Sequence, residues 1–177
     1  MKYQVILADP PWTYADKASA GNRGACFKYS LMTTEDIMDL RVKGKLIKDI
    51  TADDCVLFMW VTLPKLNEVF DVIKAWGFTY KTGAFTWVKK TKKGKVFIGM
   101  GRWTRANAEL CLLATKGKPK RFDAGIRQII ETVPEKHSKK PDEIRLRIEK
   151  LCGKVPRIEL FARQKTRGWA VFGNEIK

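Results

Sequence analysis

Apolar residues fall in short, well-bounded runs along this chain, and the first of them, Val5-Ile6-Leu7-Ala8, ends abruptly at Asp9-Pro10-Pro11-Trp12. A β-branched run closed by prolines predicts a buried strand of a parallel sheet. Open α/β sheets place ligands at the carboxyl ends of such strands, so the pattern delivers Asp9 to the place where chemistry is expected. Cys55-Val56-Leu57-Phe58-Met59-Trp60-Val61 is apolar throughout and too short for a surface helix, which predicts a second central strand closed by Thr62. Thr79 to Val88 and Ala108 to Ala114 have the same character, and Arg157 to Arg163 reads as a late strand and its exit.

Helices are signalled between these runs. Thr33 followed three residues later by Asp36 predicts a capped start for a helix carrying Ile37, Met38 and Leu40, with Gly44 as its end or interruption. Pro64 marks another start, Leu66, Val69, Phe70, Ile73 and Trp76 recur at helical spacing, and Gly77 supplies the stop. Strand 55–61, this helix and strand 79–88 make a βαβ unit. Pro141, with Asp142 and Glu143 in the first turn and Ile144, Ile148 and Leu151 on one face, predicts a helix over 141–152, ended by Gly153 and Pro156.

Composition sharpens the picture. At 177 residues the chain suits one domain spanning 1–177, with 13–32 and 89–107 as substrate-facing loops. Its 35 Lys and Arg against 19 acids give a formal charge of +16, which calls for a polyanionic partner, nucleic acid first. Four cysteines lack C-x-x-C spacing, so no metal or disulfide framework is implied. The N-terminal apolar run stops at Asp9 and no stretch reaches membrane-spanning length, which predicts a soluble, reducing, cytoplasmic setting without a membrane partner.

Three basic segments follow the strands. Lys89 to Lys95 is a turn with five lysines, including Lys92 and Lys93; it reads either as a solvated hairpin tip or as a phosphate contact, and the net charge favours contact. Gly99-Met100-Gly101-Arg102-Trp103-Thr104-Arg105 combines glycine, arginine and tryptophan for close approach, phosphate pairing and base stacking. Lys116 to Arg121 is a second basic turn.

Two consecutive prolines fix the backbone after Asp9 and leave the Asp9 and Pro10 carbonyls without helical partners. An acid, stiff carbonyl acceptors and the flat ring of Trp12 suit a planar amine such as that of adenine. Asp9-Pro10-Pro11-Trp12 resembles the catalytic motif of S-adenosylmethionine-dependent amino-methyltransferases, in the branch related to the messenger-RNA adenosine methyltransferase catalytic subunit. The resemblance runs from Tyr3 to Glu175, with the catalytic motif first and the cofactor motif last, a permuted order.

That resemblance implies an α/β, Rossmann-like methyltransferase with a mostly parallel central sheet and helices on both faces. It implies Asp9, Pro10, Pro11 and Trp12 as the catalytic corner. Lys140, oddly cationic just before a helix start, would hold the cofactor carboxylate, aided by the helix N-terminus. Phe161 would pack near the cofactor, Arg163 and Lys165 would approach its ribose, and Asn174 and Glu175 would bind the ribose hydroxyls, with Asp9 also on the cofactor side. Tyr29 and Met32 match positions at the active-site mouth, and Glu109 matches an acid near the substrate. His137, the lone histidine, reads as structural rather than catalytic.

The implied reaction is methyl transfer from S-adenosylmethionine to the 6-amino group of adenine, with no metal. Asp9 and the Pro10 carbonyl would accept the amine's two protons, and Trp12 and Tyr29 would receive a flipped-out base held by Lys92, Lys93, Arg102, Trp103 and Arg105. Adenine is favoured over cytosine or glutamine acceptors because related enzymes for those begin the motif with Ser or Asn. DNA is favoured over RNA because the chain resembles compact bacterial or phage enzymes and lacks an accessory RNA-binding module. A silent nucleic-acid-binding homologue, and a homodimer or heterodimer with a homologous subunit, stay open. Only eight residues precede Asp9, so the upstream acidic segment that meets the cofactor adenine in longer relatives has no counterpart, and Lys165 and Thr166 depart from the animal enzymes.

Overall fold

The computed structural model describes residues 2–13, 31–99, 101, 103–135 and 139–176. Its strands are β1 (Tyr3–Ala8), β2 (Arg41–Val42), β3 (Lys45–Leu46), β4 (Thr51–Val61), β5 (Thr79–Lys89), β6 (Ala108–Lys116), β7 (Ile129–Thr132), β8 (Arg157–Leu160) and β9 (Ala170–Phe172). Its α-helices are α1 (Thr34–Met38), α2 (Ile47–Ile50), α3 (Val69–Ala75) and α4 (Glu143–Cys152).

Seven strands form one sheet in the order β7-β5-β6-β4-β1-β8-β9. The β1–β4, β1–β8, β8–β9 and β5–β7 ladders are parallel, and β6 alone is reversed against both β4 and β5. The mostly parallel sheet is therefore as expected, while β4 and β5 share a direction without touching because β6 lies between them.

The continuous apolar runs are explained by two separate cores. Along β1, Val5 and Leu7 enter one cluster and Ile6 and Ala8 the other; along β4, Val56, Phe58 and Trp60 alternate in the same way with Cys55, Leu57, Met59 and Val61. With period two, a strand covered on both faces must be apolar at every position. One face is covered by Ile37 of α1, Ile47 and Ile50 of α2, and Val69, Val72 and Ile73 of α3, joined by Trp76. The other is covered by Ile144 and Ile148 of α4 and by Trp169. Cys55 and Cys111 are fully buried, as their apolar runs implied, and burial pushes the Cys55 thiol up to about 12.

Several local expectations need correction. The Thr33–Asp36 capping box is present, but α1 ends at Met38, and Gly44 is the φ +79° residue of the β2–β3 turn beside Lys43 at φ +51°. Pro64 lies in a 3-10 turn, Leu63–Lys65, that precedes α3. On α3 the inward face is Val69, Val72 and Ile73, and Phe70 lies outside, edge-on to Tyr80. Strand β8 stops at Leu160 because Phe161 turns to φ +59°.

Candidate active site

Strand β1 is where the chain changes direction across the sheet: it pairs with β4 on one side and β8 on the other. A crevice opens beyond the carboxyl end of such a strand, and ligands of α/β folds sit there. Asp9 is the first residue past that end.

The two prolines hold the corner in place, though their carbonyls are not both free. Pro10 O accepts the Trp12 N–H at 3.0 Å and Pro11 O accepts the Met32 N–H at 2.9 Å. Pro10 O keeps only its second lone pair for a substrate. Trp12 is buried, 3% exposed, with Nε1 donating to Trp60 O at 3.4 Å. Its ring packs in the core and lines neither of the two cavities at this corner. Instead it bridges to Met32, and Thr13 Oγ1 donates to Met32 O at 2.8 Å, so the corner ties together the segments flanking residues 14–30.

Lys140, immediately before the turn into α4, reaches back to this corner. Its Nζ lies 2.7 and 2.9 Å from the two Asp9 carboxylate oxygens, 3.2 Å from Glu109 Oε2, and 5.5 Å from the Trp60 ring centroid. Burial alone would lower its pKa, but Asp9 and Glu109 outweigh that and hold it above the usual lysine range. Glu109, on β6, is clamped between Lys140 and Lys89, the latter at 2.6 Å. Burial would raise its carboxyl, yet the two lysines hold it below the usual range. Lys89 Nζ in turn lies 5.0 Å from the Trp87 ring centroid.

Phe161 leaves β8 in the left-handed region, a conformation costly for a bulky residue and typical of binding sites. It is held there by the Ala162 N–H donating to Phe172 O at 3.0 Å. Glycine is required opposite it: a Cβ on Gly173 would lie 2.2 Å from Ala162 O. That close approach carries Asn174 and Glu175 back toward Asp9, and Arg163 Nε lies 3.6 Å from Glu175 Oε1.

Two adjoining cavities meet at the corner and share Asp9, Phe161, Arg163 and Glu175. One, about 240 Å³, is also lined by Trp60, Lys140 and Ile144; the other, about 510 Å³, by Pro11, Met32, Phe172 and Asn174. Sequence reasoning missed Arg145 and Glu159, which line the smaller cavity and pair through two 2.8 Å hydrogen bonds. Alternation of side chains along β8 was the available signal, since it points Glu159 toward α4.

The remaining expected site residues lie apart. Lys165 is exposed and lines neither cavity. Lys92 and Lys93 are exposed at a turn closed by the Lys90–Val96 bridge, Trp103 is 95% exposed, and Arg105 is exposed. Val96, Phe97 and Ile98 beside them are exposed as well, an apolar strip the sequence reading overlooked. Tyr29, Arg102 and His137 lie outside the described residues. Among the described residues no group of His, Cys, Asp and Glu could hold a metal ion, and no helix is long and apolar enough to cross a membrane.

Comparison with known proteins gives a family match and three similar proteins. The family model described as MT-A70 matches residues 3–175. The chain is 36% identical over 193 residues to the Type II methyltransferase M.MunI of Mycoplasma sp, covering 99% of this chain and 78% of that protein. It is 28% identical over 180 residues to the human N(6)-adenosine-methyltransferase catalytic subunit METTL3, covering 99% of this chain but 28% of that protein, and 28% identical over 182 residues to the N6-methyladenosine RNA methyltransferase MTA1 of Pyricularia oryzae, covering 47% of it.

Proposed function

The chain belongs to the MT-A70 family, and from that premise we propose that it transfers a methyl group from S-adenosylmethionine to the 6-amino group of adenine in DNA. Members of this family are S-adenosylmethionine-dependent adenine methyltransferases. The observation that carries the reading here is the position of Asp9, at the mouth shared by two cavities, one of which extends to Asn174 and Glu175.

The residues present fit the cofactor. The combined space is of the size that encloses ligands, with an apolar wall at Phe161 and polar groups at both ends. We assign Lys140 to the cofactor carboxylate, Asp9 to its amino group, Phe161 to its apolar body, and Asn174, Glu175 and Arg163 to its ribose. Lys165 stands too far out to join them in this arrangement. When bound, S-adenosylmethionine supplies an electrophilic methyl group on a sulfonium.

The adenine amine is a weak nucleophile because its lone pair is delocalised into the ring. Asp9 and Pro10 O, accepting its two protons, favour a pyramidal nitrogen with a localised lone pair; preorganised acceptors of this kind commonly contribute about 2.7–4 kcal/mol. Pro10 and Pro11 keep those acceptors from swinging away, so orientation supplies part of the rate. A duplex hides the amine, so the base must be flipped or unpaired. Lys92, Lys93, Trp103 and Arg105, with Arg102 and Tyr29, are assigned to the strand. Glu109 is assigned to the substrate side through its hold on Lys140. A second copy or a homologous subunit is the other candidate to cover the exposed Val96, Phe97 and Ile98 beside these residues, and light scattering with and without DNA separates the two. A cytoplasmic setting in a bacterial or phage-infected cell accords with a DNA substrate.

DNA is preferred because the relative named as a Type II methyltransferase matches over most of its own length. RNA is the second reading, favoured by the METTL3 and MTA1 names. Incubation with tritiated cofactor and matched DNA and RNA oligonucleotides decides between them: label should enter adenine in DNA, and label entering RNA alone would replace the reading.

A further inference from the structure

The second basic turn has no part in the site just described. Strand β6 runs against β4, with Cys111 opposite Trp60 near the cavity and Lys116 opposite Cys55. The turn after Lys116 therefore lies at the far end of the sheet, roughly 17 Å from the catalytic corner at about 3.4 Å per residue.

At that end Phe122 is held outward. Its N–H donates to Leu151 O at 2.7 Å, at the end of α4, and the Asp123 N–H donates to the same carbonyl at 3.4 Å. The ring lies against Gly153, where a Cβ would sit 3.4 Å from it, yet Phe122 is 82% exposed. A backbone fixed at both flanks with an aromatic left in solvent is a rigid platform rather than a misplaced core residue.

Cations surround it. Lys118, Lys120 and Arg121 precede Phe122, and Lys150 and Lys154 flank Gly153; all five are exposed. Among the described residues none of the five forms an ion pair, whereas Lys116 is spent on Thr51 Oγ1 at 2.9 Å. The nearby acids act as backbone caps: Asp54 accepts from the Lys118 N–H and Asp123 from the Gly125 N–H, both at 2.7 Å.

We propose that Phe122, with Lys120, Arg121, Lys150 and their neighbours, is a second, non-catalytic binding surface for single-stranded nucleic acid, stacking one base on the Phe122 ring and pairing the flanking phosphates. An exposed aromatic amid unpaired cations is the pattern that binds single strands without sequence preference. Duplex would leave the ring unused, since its bases are already stacked. The inference is independent of the methyl-transfer reading, because binding here needs neither cofactor nor target.

Fluorescence anisotropy of a labelled oligothymidylate, titrated without cofactor over a salt series, tests it. Phe122→Ala should weaken binding about tenfold and Phe122→Trp should restore it. The triple variant Lys120→Ala, Arg121→Ala, Lys150→Ala should reduce the salt slope by about 2, at roughly 0.7 per phosphate. A strand carrying 5-iodouracil should photocrosslink to Phe122, read by mass spectrometry. Unchanged melting temperatures would assign these losses to the surface. Wild-type affinity in Phe122→Ala, crosslinks confined to residues 92–105, or Phe122-dependent binding to anionic vesicles with strand binding untouched would each overturn the proposal.

Discussion

The Lys140 ammonium contacts both oxygens of the Asp9 carboxylate, at 2.7 and 2.9 Å, across 131 residues of sequence. The acid proposed to orient the amine is thus held by a cation. Under the proposed assignment, a cofactor carboxylate would compete with Asp9 for that ammonium. The same pairing keeps two carboxylates, Asp9 and Glu109, compatible in one half-buried site.

Removing Lys140 should therefore cost more than a surface lysine would. Its side chain is 15% exposed and neutralises two acids, and breaking a buried pair from one side typically costs about 3–5 kcal/mol. Lys140→Met should lower the unfolding free energy by about that amount, read as a lower urea midpoint at unchanged m, and weaken cofactor binding in calorimetry. A midpoint within error of wild type would show that the ammonium contributes no net stability.

The pH dependence follows from the same pair. Glu109 is held below the usual carboxyl range, so its contribution is present above its unfolded value of about 4.3 and is lost as pH falls through the lower folded value. Lys140 is held above the usual lysine range, so its contribution is complete below about 10.4 and is lost as pH rises through the raised value. Urea midpoints should form a plateau between these limits, and Glu109→Gln should flatten the acid limb and bring the alkaline limb to lower pH, since Asp9 then holds Lys140 without it. An acid limb of unchanged steepness in that variant would assign acid unfolding to other carboxylates.

Much of this architecture was legible in the residues because each central strand must be apolar at every position to face two cores; Val5 to Ala8 and Cys55 to Val61 declare that requirement directly. Lys140 stood out because a cation before a helix start is locally unfavourable. What could not be read was tertiary. Trp12 is an aromatic after two prolines in either role, and only its packing under Trp60 O decides that it anchors. The Arg145–Glu159 pair joins consecutive elements, and alternation along β8 suggests the face Glu159 takes but not the partner on α4. The place of β6 between β4 and β5 depends on pairing energies that no local pattern encodes.

Gly173 should tolerate no side chain. A Cβ there would lie 2.2 Å from Ala162 O and 2.7 Å from Ala162 N, and both are backbone atoms that cannot swing aside. Gly173→Ala should force β9 away from the Phe161 turn and cost about 1–3 kcal/mol, in the range of overpacked interiors. It should also loosen cofactor binding by displacing Asn174 and Glu175. Thermal unfolding and calorimetry measure the two effects, and a variant unchanged in both would mean the approach at Ala162 is wider in solution.

Asp9→Asn isolates the carboxylate's chemistry from its shape. The amide fills the same space but offers one acceptor and a pair of donors, and donors facing the amine's protons repel rather than orient them. Loss of one preorganised acceptor of this kind typically lowers the chemical step by about 10²–10³. Cofactor affinity should change far less, because Lys140, relieved of Asp9, stays available to an anion in the cavity. Single-turnover rates at saturating cofactor, set beside dissociation constants from calorimetry, separate the two contributions. Should the variant react at the wild-type rate once saturated, Asp9 would be a cofactor ligand only, and the orientation of the amine would have to rest on Pro10 O.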